Sequence, residues 1–319
     1  MINQNKLIVS HAPFWHNGSG IAERSYNVMG AALLAVLAGF MRYGMPAVGV
    51  VCLSVSMAMF WELAYTRLTK MPDTIGDGNA AMFGLVLAMM LPATTPWWIV
   101  VIGTFLAIII GRQIYGGIGS NAFHPAVLAT AILIISWKNH FNFDGAYVAY
   151  NFDFLSRYPL GMLKNFGPRG IAHYDLMDLF LGRQVGGIGS GCGLALVLGG
   201  IYLMLRGYIR WEVSVSFLVG VFLTAQIFNM VNPERFAGPL FHILTGYTLL
   251  AAFFLITEDS SSPVNPLPMV IYGLGGGLLV VLIRNIGAHT DGTLYAVLTM
   301  NLVNPLLDKI RPKALGKVA

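Results

Sequence analysis

Ten apolar stretches, each wide enough to cross or half-cross a bilayer, leave this chain few architectures. A spanning helix needs about 20 mainly apolar residues. Such stretches lie near 26–43, 46–66, 78–92, 96–114, 122–137, 189–207, 211–231, 238–256, 268–287 and 290–308. Charged residues make up only 10% of the 319, against roughly 25% in soluble domains. Backbone polar groups find no water in hydrocarbon, so these stretches must be helical. The expected fold is an all-α polytopic membrane protein with about ten transmembrane helices. The third stretch is short, from Asn79 to Pro92, and the fifth begins beside His124-Pro125; both are expected to be half-spanning or broken. The first 25 residues hold no short apolar core of a cleavable signal peptide, which leaves targeting to the first span.

Cations orient the spans, because lysine and arginine favour the cytoplasmic loops. With the N-terminus inside, that side holds Lys6, Arg24, Arg67, Lys70, Arg112, Arg206, Arg210, Lys309, Arg311, Lys313 and Lys317. The short outer loops hold only Arg42, Arg235 and Arg284. Both termini are therefore expected in the cytoplasm and the long segment 138–188 outside. Aromatics crowd that segment (Phe141, Phe143, Tyr147, Tyr150, Phe152, Phe154, Tyr158 and Phe166), which favours packing over disorder. No basic cluster alternates with aromatics along one face, so nucleic acid is not an expected partner. Cys52 and Cys192 lie in apolar runs without a C-x-x-C pattern, and are read as small core residues.

The chain divides into a first five-helix repeat (26–137), the outer segment (138–188), a second five-helix repeat (189–308) and a basic tail (309–319). Each half contains a helix entered from a small or polar cluster, Gly76-Asp77-Gly78-Asn79 in one and His242-Ile243-Leu244-Thr245-Gly246 in the other. Each half closes with a helix after a glycine-containing turn, 116–120 and 287–292. Five spans per half is odd, so the repeats must be inverted, and such folds place their sites near the midplane at interrupted helices.

Few residues carry chemistry. In Tyr115-Gly116-Gly117-Ile118-Gly119-Ser120-Asn121, glycines let a ligand approach the backbone, and Asn121 can bond the edge of a flat heterocycle; the same run also suits a tight interhelical turn. Gly186 to Gly191 echoes it, where close helix packing is the simpler reading. Glu62, inside an apolar helix, is an ion-pathway candidate or a partner of Arg67 one turn away. Asp77 is a second candidate, or a helix cap. His124 and His242 stand at helix entrances without metal-ligand spacing, so both are read as hydrogen-bonding histidines. No metal site and no catalytic residue is expected.

The run from Pro96-Trp97-Trp98 to Tyr115-Gly116-Gly117-Ile118-Gly119 resembles the D subunit of Rnf complexes. So do Arg210-Trp211, His242 to Gly246, Arg284 through Asp291-Gly292, and Ser10, Pro13 and His16-Asn17 before the first span. A more distant similarity is to the B subunit of sodium-translocating NADH:quinone reductase. The resemblance implies a flavin-bearing membrane subunit of a multisubunit pump in a prokaryotic inner membrane, passing electrons between ferredoxin and NAD coupled to Na⁺ or H⁺ movement. Its partners would be the other membrane and peripheral subunits, flavin- and iron–sulfur-bearing, and lipid. The family's fold has ten helices in an inverted repeat. It implies FMN phosphate-linked to a threonine outside the membrane and a non-covalent riboflavin near the glycine turn. Here Tyr158 stands in the threonine's place, after Arg157, so covalent FMN is not expected; Arg157 could instead hold a phosphate through charge-assisted bonds. At the turn Asn121 is kept, and His124 replaces a second asparagine. The expected flavin-site residues are Gly116, Gly117, Gly119, Asn121, His124, Arg157, Tyr158 and Thr245. The competing functions are a cofactor-free channel or secondary transporter, and a structural subunit that has lost flavin.

Overall fold

The computed structural model describes residues 20–72 and 74–310; the N-terminal stretch of the resemblance and the tail from Arg311 lie outside them. Among the described residues there is no strand. In chain order the helices are α1 (Ile21–Tyr43), α2 (Met45–Thr69), α3 (Asn79–Met90), α4 (Trp97–Phe105), α5 (Pro125–Ser136), α6 (Phe143–Ala146), α7 (Pro159–Phe166) and α8 (Leu176–Leu181). They continue as α9 (Gly193–Leu205), α10 (Trp211–Val231), α11 (Pro239–Leu244), α12 (Thr248–Leu250), α13 (Pro266–Asn285) and α14 (Thr293–Leu307). α1, α2, α10, α13, and α4 with its continuation to Tyr115 are apolar and long enough to cross a membrane. The chain is thus a polytopic helical membrane protein.

Proline sets many of the boundaries. It lies in the first turn of α2, α5, α7, α11 and α13, where its missing N–H has no helical partner to lose. Gly44, at φ 67°, separates α1 from α2.

The third stretch is a half-helix, as its length implied. Its 12 residues reach about 18 Å and all are buried. A helix that stops inside the protein must find donors for its last carbonyls. The Gly186–Gly191 run supplies them: Ile188 N–H donates to Leu91 O (3.0 Å) and Gly189 N–H to Met89 O (3.0 Å). Tyr247 Oη donates to Met90 O (2.8 Å). A Cβ on Gly187 would stand 2.7 Å from the Met89 carbonyl, so this approach requires glycine. The run is therefore a cap on α3 rather than the start of the sixth span, which begins only at Gly193.

The eighth stretch also departs from expectation. Rather than one helix over 238–256, it is broken between α11 and α12 at Thr245-Gly246-Tyr247. Gly246 has φ 68°, close to the 66° of Gly78 at the entrance to α3.

The segment 138–188 is packed, with three short helices. Tyr147 stacks on Tyr43 of α1 (4.7 Å between centroids), and Tyr150, Phe152 and Phe154 stack in turn at 5.6 and 5.0 Å. Tyr43 and Tyr147 both donate to Gly186 O (3.1 Å each), tying this layer to the α3 cap. The cysteines are not the core residues expected: Cys52 is exposed on α2 and Cys192 is half-buried before α9. Both fall on element faces or ends, which an apolar run cannot reveal.

Candidate functional site

Two of the helices contain a π turn, in which one extra residue rotates the following segment. In α4 it spans Leu106–Ile110, closed by Gly111 N–H to Leu106 O (2.8 Å). After α12 it spans Ala251–Leu255, closed by Ile256 N–H to Ala251 O (2.9 Å). The first is followed by Arg112 and the second by Glu258, and both residues line one cavity of about 1010 Å³. Its wall also includes the start of α1 (Arg24), the start of α3 (Asn79, Phe83), Gly119 and Asn121, and Arg206 to Arg210. Four cations grouped on one side by sequence (Arg24, Arg112, Arg206 and Arg210) thus meet at one end of the bundle.

Arg112 and Glu62 form an ion pair (3.1 Å) with side chains 1% and 0% exposed. Thr74 Oγ1 donates to the same Glu62 oxygen (2.7 Å). Glu62 is therefore held by Arg112 across the bundle, not by Arg67. The pair is incompletely satisfied: Glu62 Oε2 and Arg112 Nε and Nη1 are buried without a hydrogen-bond partner, as are Asn79 Oδ1 and Arg24 Nε on the same cavity wall. Asp77 caps the entrance of α3, accepting the Asn79 N–H (2.8 Å), which is the plain reading of that residue.

The glycine turn adopts the conformation only glycine takes readily, with φ 112°, 92° and 82° at Gly116, Gly117 and Gly119. Asn121 is buried, but its amide is already engaged. Nδ2 donates to Phe123 O (3.1 Å) and Glu258 (3.2 Å), and Oδ1 accepts from Ser260 (2.7 Å). Glu258 also accepts from Ser261 Oγ (2.7 Å). His124 caps α5, its Nδ1 accepting the Val127 N–H (3.3 Å), while its backbone N–H donates to Asn301 Oδ1 (3.1 Å). Asn121 and His124 therefore join the first half to the second, and among the cavity-lining residues the buried polar side-chain atoms without partners belong to Arg112, Asn79 and Arg24.

The remaining site candidates lie at the opposite end. Thr245, at the α11–α12 break, donates back to Phe241 O (2.6 Å). Arg157 is exposed and its carbonyl accepts from Tyr174 Oη (2.8 Å). Tyr158 is buried against Phe143 (4.9 Å). Burial, then the charge of Asp291, pushes its phenol well above the usual tyrosine range, so it stays protonated. His242 is fully buried with neither ring nitrogen bonded, unlike the hydrogen-bonding histidine expected there; its backbone carbonyl is the group that is used.

Sequence reading passed over the centre of this end. Arg284 donates to His242 O (2.7 Å), Thr245 O (3.2 Å), Thr248 Oγ1 (2.8 Å) and Thr293 Oγ1 (3.1 Å), and pairs with Asp291 (2.9 Å). Asp291 Oδ2 accepts the Tyr247 N–H (2.9 Å). A guanidinium thus occupies the helix break, where a bound cation would sit in other interrupted helices. Arg112 was missed as well, although an arginine closing an apolar span beside a glycine turn is a signal of a paired charge.

Apolar helices that span, stop and break within one bundle define a class, the multi-pass membrane proteins. The chain belongs to the NQR2, RnfD, RnfE family, whose sequence profile matches residues 8–316. It is 34% identical over 310 residues to the D subunit of the Na(+)-translocating ferredoxin:NAD(+) oxidoreductase complex of Acetobacterium woodii, covering 97% of this chain and 94% of that one. It is 33% identical over 318 residues to the D subunit of the proton-translocating ferredoxin:NAD(+) oxidoreductase complex of Clostridium ljungdahlii (97% and 95% covered). With the D subunit of the ion-translocating oxidoreductase complex of Cronobacter sakazakii it shares 30% over 345 residues (97% and 98%).

Proposed function

We propose that this chain is a flavin-carrying membrane subunit of an ion-translocating oxidoreductase complex, with a non-covalent flavin in the cavity beside the glycine turn. The observation that carries the reading is the cavity itself. Its volume, about 1010 Å³, is at the upper end of small-molecule sites. Buried donors and acceptors without partners stand on its wall, and such groups are normally satisfied. The residues present fit a planar heterocycle. Arg112 and Asn79 offer a donor and an acceptor, Phe83 and Tyr208 offer apolar faces, and Gly119 presents bare backbone. A bound isoalloxazine would supply the one- and two-electron chemistry; the chain's part is to hold it, orient it and set its electrostatic surroundings. Asn121 acts on this site by fixing the turn to Glu258 and Ser260.

The same reading takes the ten segments as inverted five-helix repeats in a prokaryotic inner membrane, with both termini cytoplasmic and 138–188 outside. Several observations support it. Gly78 and Gly246 share a left-handed conformation at corresponding entrances. Arg112-Gln113-Ile114 is echoed by Arg284-Asn285-Ile286, and Ala126-Val127-Leu128 by Ala296-Val297-Leu298. α1 packs on α9 and α5 on α14, each on its counterpart. The partners proposed are the other flavin- and iron–sulfur-bearing subunits and lipid; relatives named as subunits of translocating complexes support that assignment.

The test is flavin released on denaturing the purified full-length chain. Near-stoichiometric riboflavin or FMN is expected, falling in Gly117→Val, where φ 92° strains a β-branched residue, and in Asn121→Ala, which unties the turn. A chain that carries no flavin sinks the reading in favour of a channel, a transporter or a structural subunit; ion flux through the isolated chain would then separate the first two from the third.

A further inference from the structure

Arg112 and Arg284 stand at matching places in the two halves, each near the end of the fourth helix of its repeat, yet they are used differently. Arg284 has all three guanidinium nitrogens bonded within the protein, Nε to Asp291 (3.2 Å), Nη1 to His242 O (2.7 Å) and Nη2 to several oxygens. Arg112, equally buried, has one nitrogen on Glu62 (3.1 Å) and leaves Nε and Nη1 without a partner. The carboxylate that locks Arg284 is Asp291. Counting back five residues from the shared Ala-Val-Leu, the first half has Asn121 in its place, and Asn121 bonds Glu258 instead. The outer arginine therefore closes a helix break, while the inner one stands on the wall of a large cavity with donors to spare.

We propose that Arg112 binds the ligand of this cavity directly, Nε and Nη1 each donating to a separate acceptor, and selects a heterocycle that carries several acceptor atoms. The inference rests on the flavin reading above and names the residue that recognises the pyrimidinedione. With Nη2 held by Glu62, the Nε–H and Nη1–H donors diverge in the guanidinium plane, two fixed directions that an ammonium cannot reproduce. Glu62 and Thr74 are positioning residues: they hold the third nitrogen, fix the plane of the guanidinium and balance its charge. Asn79 Oδ1, also unpartnered on that wall, is the acceptor for a ring N–H. The positive charge of Arg112 favours any ring that becomes more negative on reduction, so it raises the ring's midpoint potential.

The experiment titrates riboflavin into the full-length chain in detergent micelles, freed of endogenous flavin, and follows quenching of riboflavin fluorescence; the midpoint potential is measured on the reloaded chain. Arg112→Gln is expected to weaken binding roughly ten- to a hundredfold, the range of lost charge-assisted hydrogen bonds, and to lower the potential. Arg112→Lys, which keeps the charge but not the two fixed donor directions, is expected to recover the potential more than the affinity. Arg112→Gln leaves Glu62 buried and unpaired, so the double variant Glu62→Gln/Arg112→Gln is the deciding measurement. Its thermal stability should recover while its riboflavin affinity stays as low as that of Arg112→Gln. Recovery of affinity together with stability would overturn the proposal, since the arginine would then serve only to neutralise Glu62. Unchanged affinity in every variant overturns it too, and leaves the flavin reading standing. No riboflavin binding by the unmutated chain overturns both.

Discussion

Replacing Arg284 by methionine tests whether a side chain can hold open a break in a buried helix. The guanidinium is 1% exposed and the Asp291 carboxylate 9%, so their attraction is little screened. Removing one member of a buried pair costs about 3–5 kcal/mol, because the other charge stays behind. Asp291 keeps three donors, Tyr247 N–H (2.9 Å), Thr293 N–H (3.0 Å) and Thr293 Oγ1 (2.6 Å), which places the charge part at the lower end. The carbonyls of His242 and Thr245 lose Arg284 and share one remaining side-chain donor, Thr248 Oγ1 (2.8 and 3.1 Å). An unsatisfied buried carbonyl costs about 1–3 kcal/mol, so Arg284→Met should cost about 4–6 kcal/mol in all. The double variant Arg284→Met/Asp291→Asn removes the stranded charge and should retain only the carbonyl part, about 1–3 kcal/mol. Unfolding of the solubilised chain, followed by tryptophan fluorescence against denaturant, measures both. A single variant within about 1 kcal/mol of the unmutated chain would refute the buried-pair argument. A double variant as stable as the unmutated chain would refute the role of Arg284 in holding the break.

Other outcomes follow from particular contacts. Because Tyr158 stands in the place of an acceptor threonine and its phenol is buried, no acid-stable fluorescent flavin band should accompany this chain on a denaturing gel; a flavin adduct on a peptide covering 150–170 would contradict this. Gly187→Val would drive a side chain against the Met89 carbonyl and displace the cap of α3; a loss of about 1–3 kcal/mol or more is expected, and a variant of normal stability would show that the cap is dispensable. With Cys52 and Cys192 replaced by alanine, a cysteine at exposed Asn151 should react with an impermeant thiol reagent in intact cells and one at exposed Lys309 should not. The reverse pattern would invert the proposed orientation.

Much of the architecture was legible in the chain because bilayer physics is severe. Apolar runs with a handful of charges must be helices, and the brevity of Asn79–Pro92 already implied a segment that stops inside the protein. Proline lies in the first turn of many helices, where it is best tolerated, although Pro305 falls inside α14. The glycines of 116–119 could be read as a turn, and their positive φ values are what that composition permits. Tertiary structure alone decided what the polar residues do. Glu62 had a plausible neighbour in Arg67 one turn away, yet its partner is Arg112, far along the chain, because α2 and α4 pack side by side. Gly186 to Gly191 looked like the start of a helix but caps another, its N–H groups donating to the carbonyls of Met89 and Leu91 at the end of α3. Asn121 and His124 have the hydrogen-bonding capacity a ligand site needs, and the fold uses it to join its two halves. Arg112 keeps only Nε and Nη1 without partners, its third nitrogen being held by Glu62. Hydrophobic patterning is a local property, repeated along every segment and visible in one dimension. Satisfaction of a buried polar group depends on which segments of the chain arrive beside it in space, and only the folded bundle determines that.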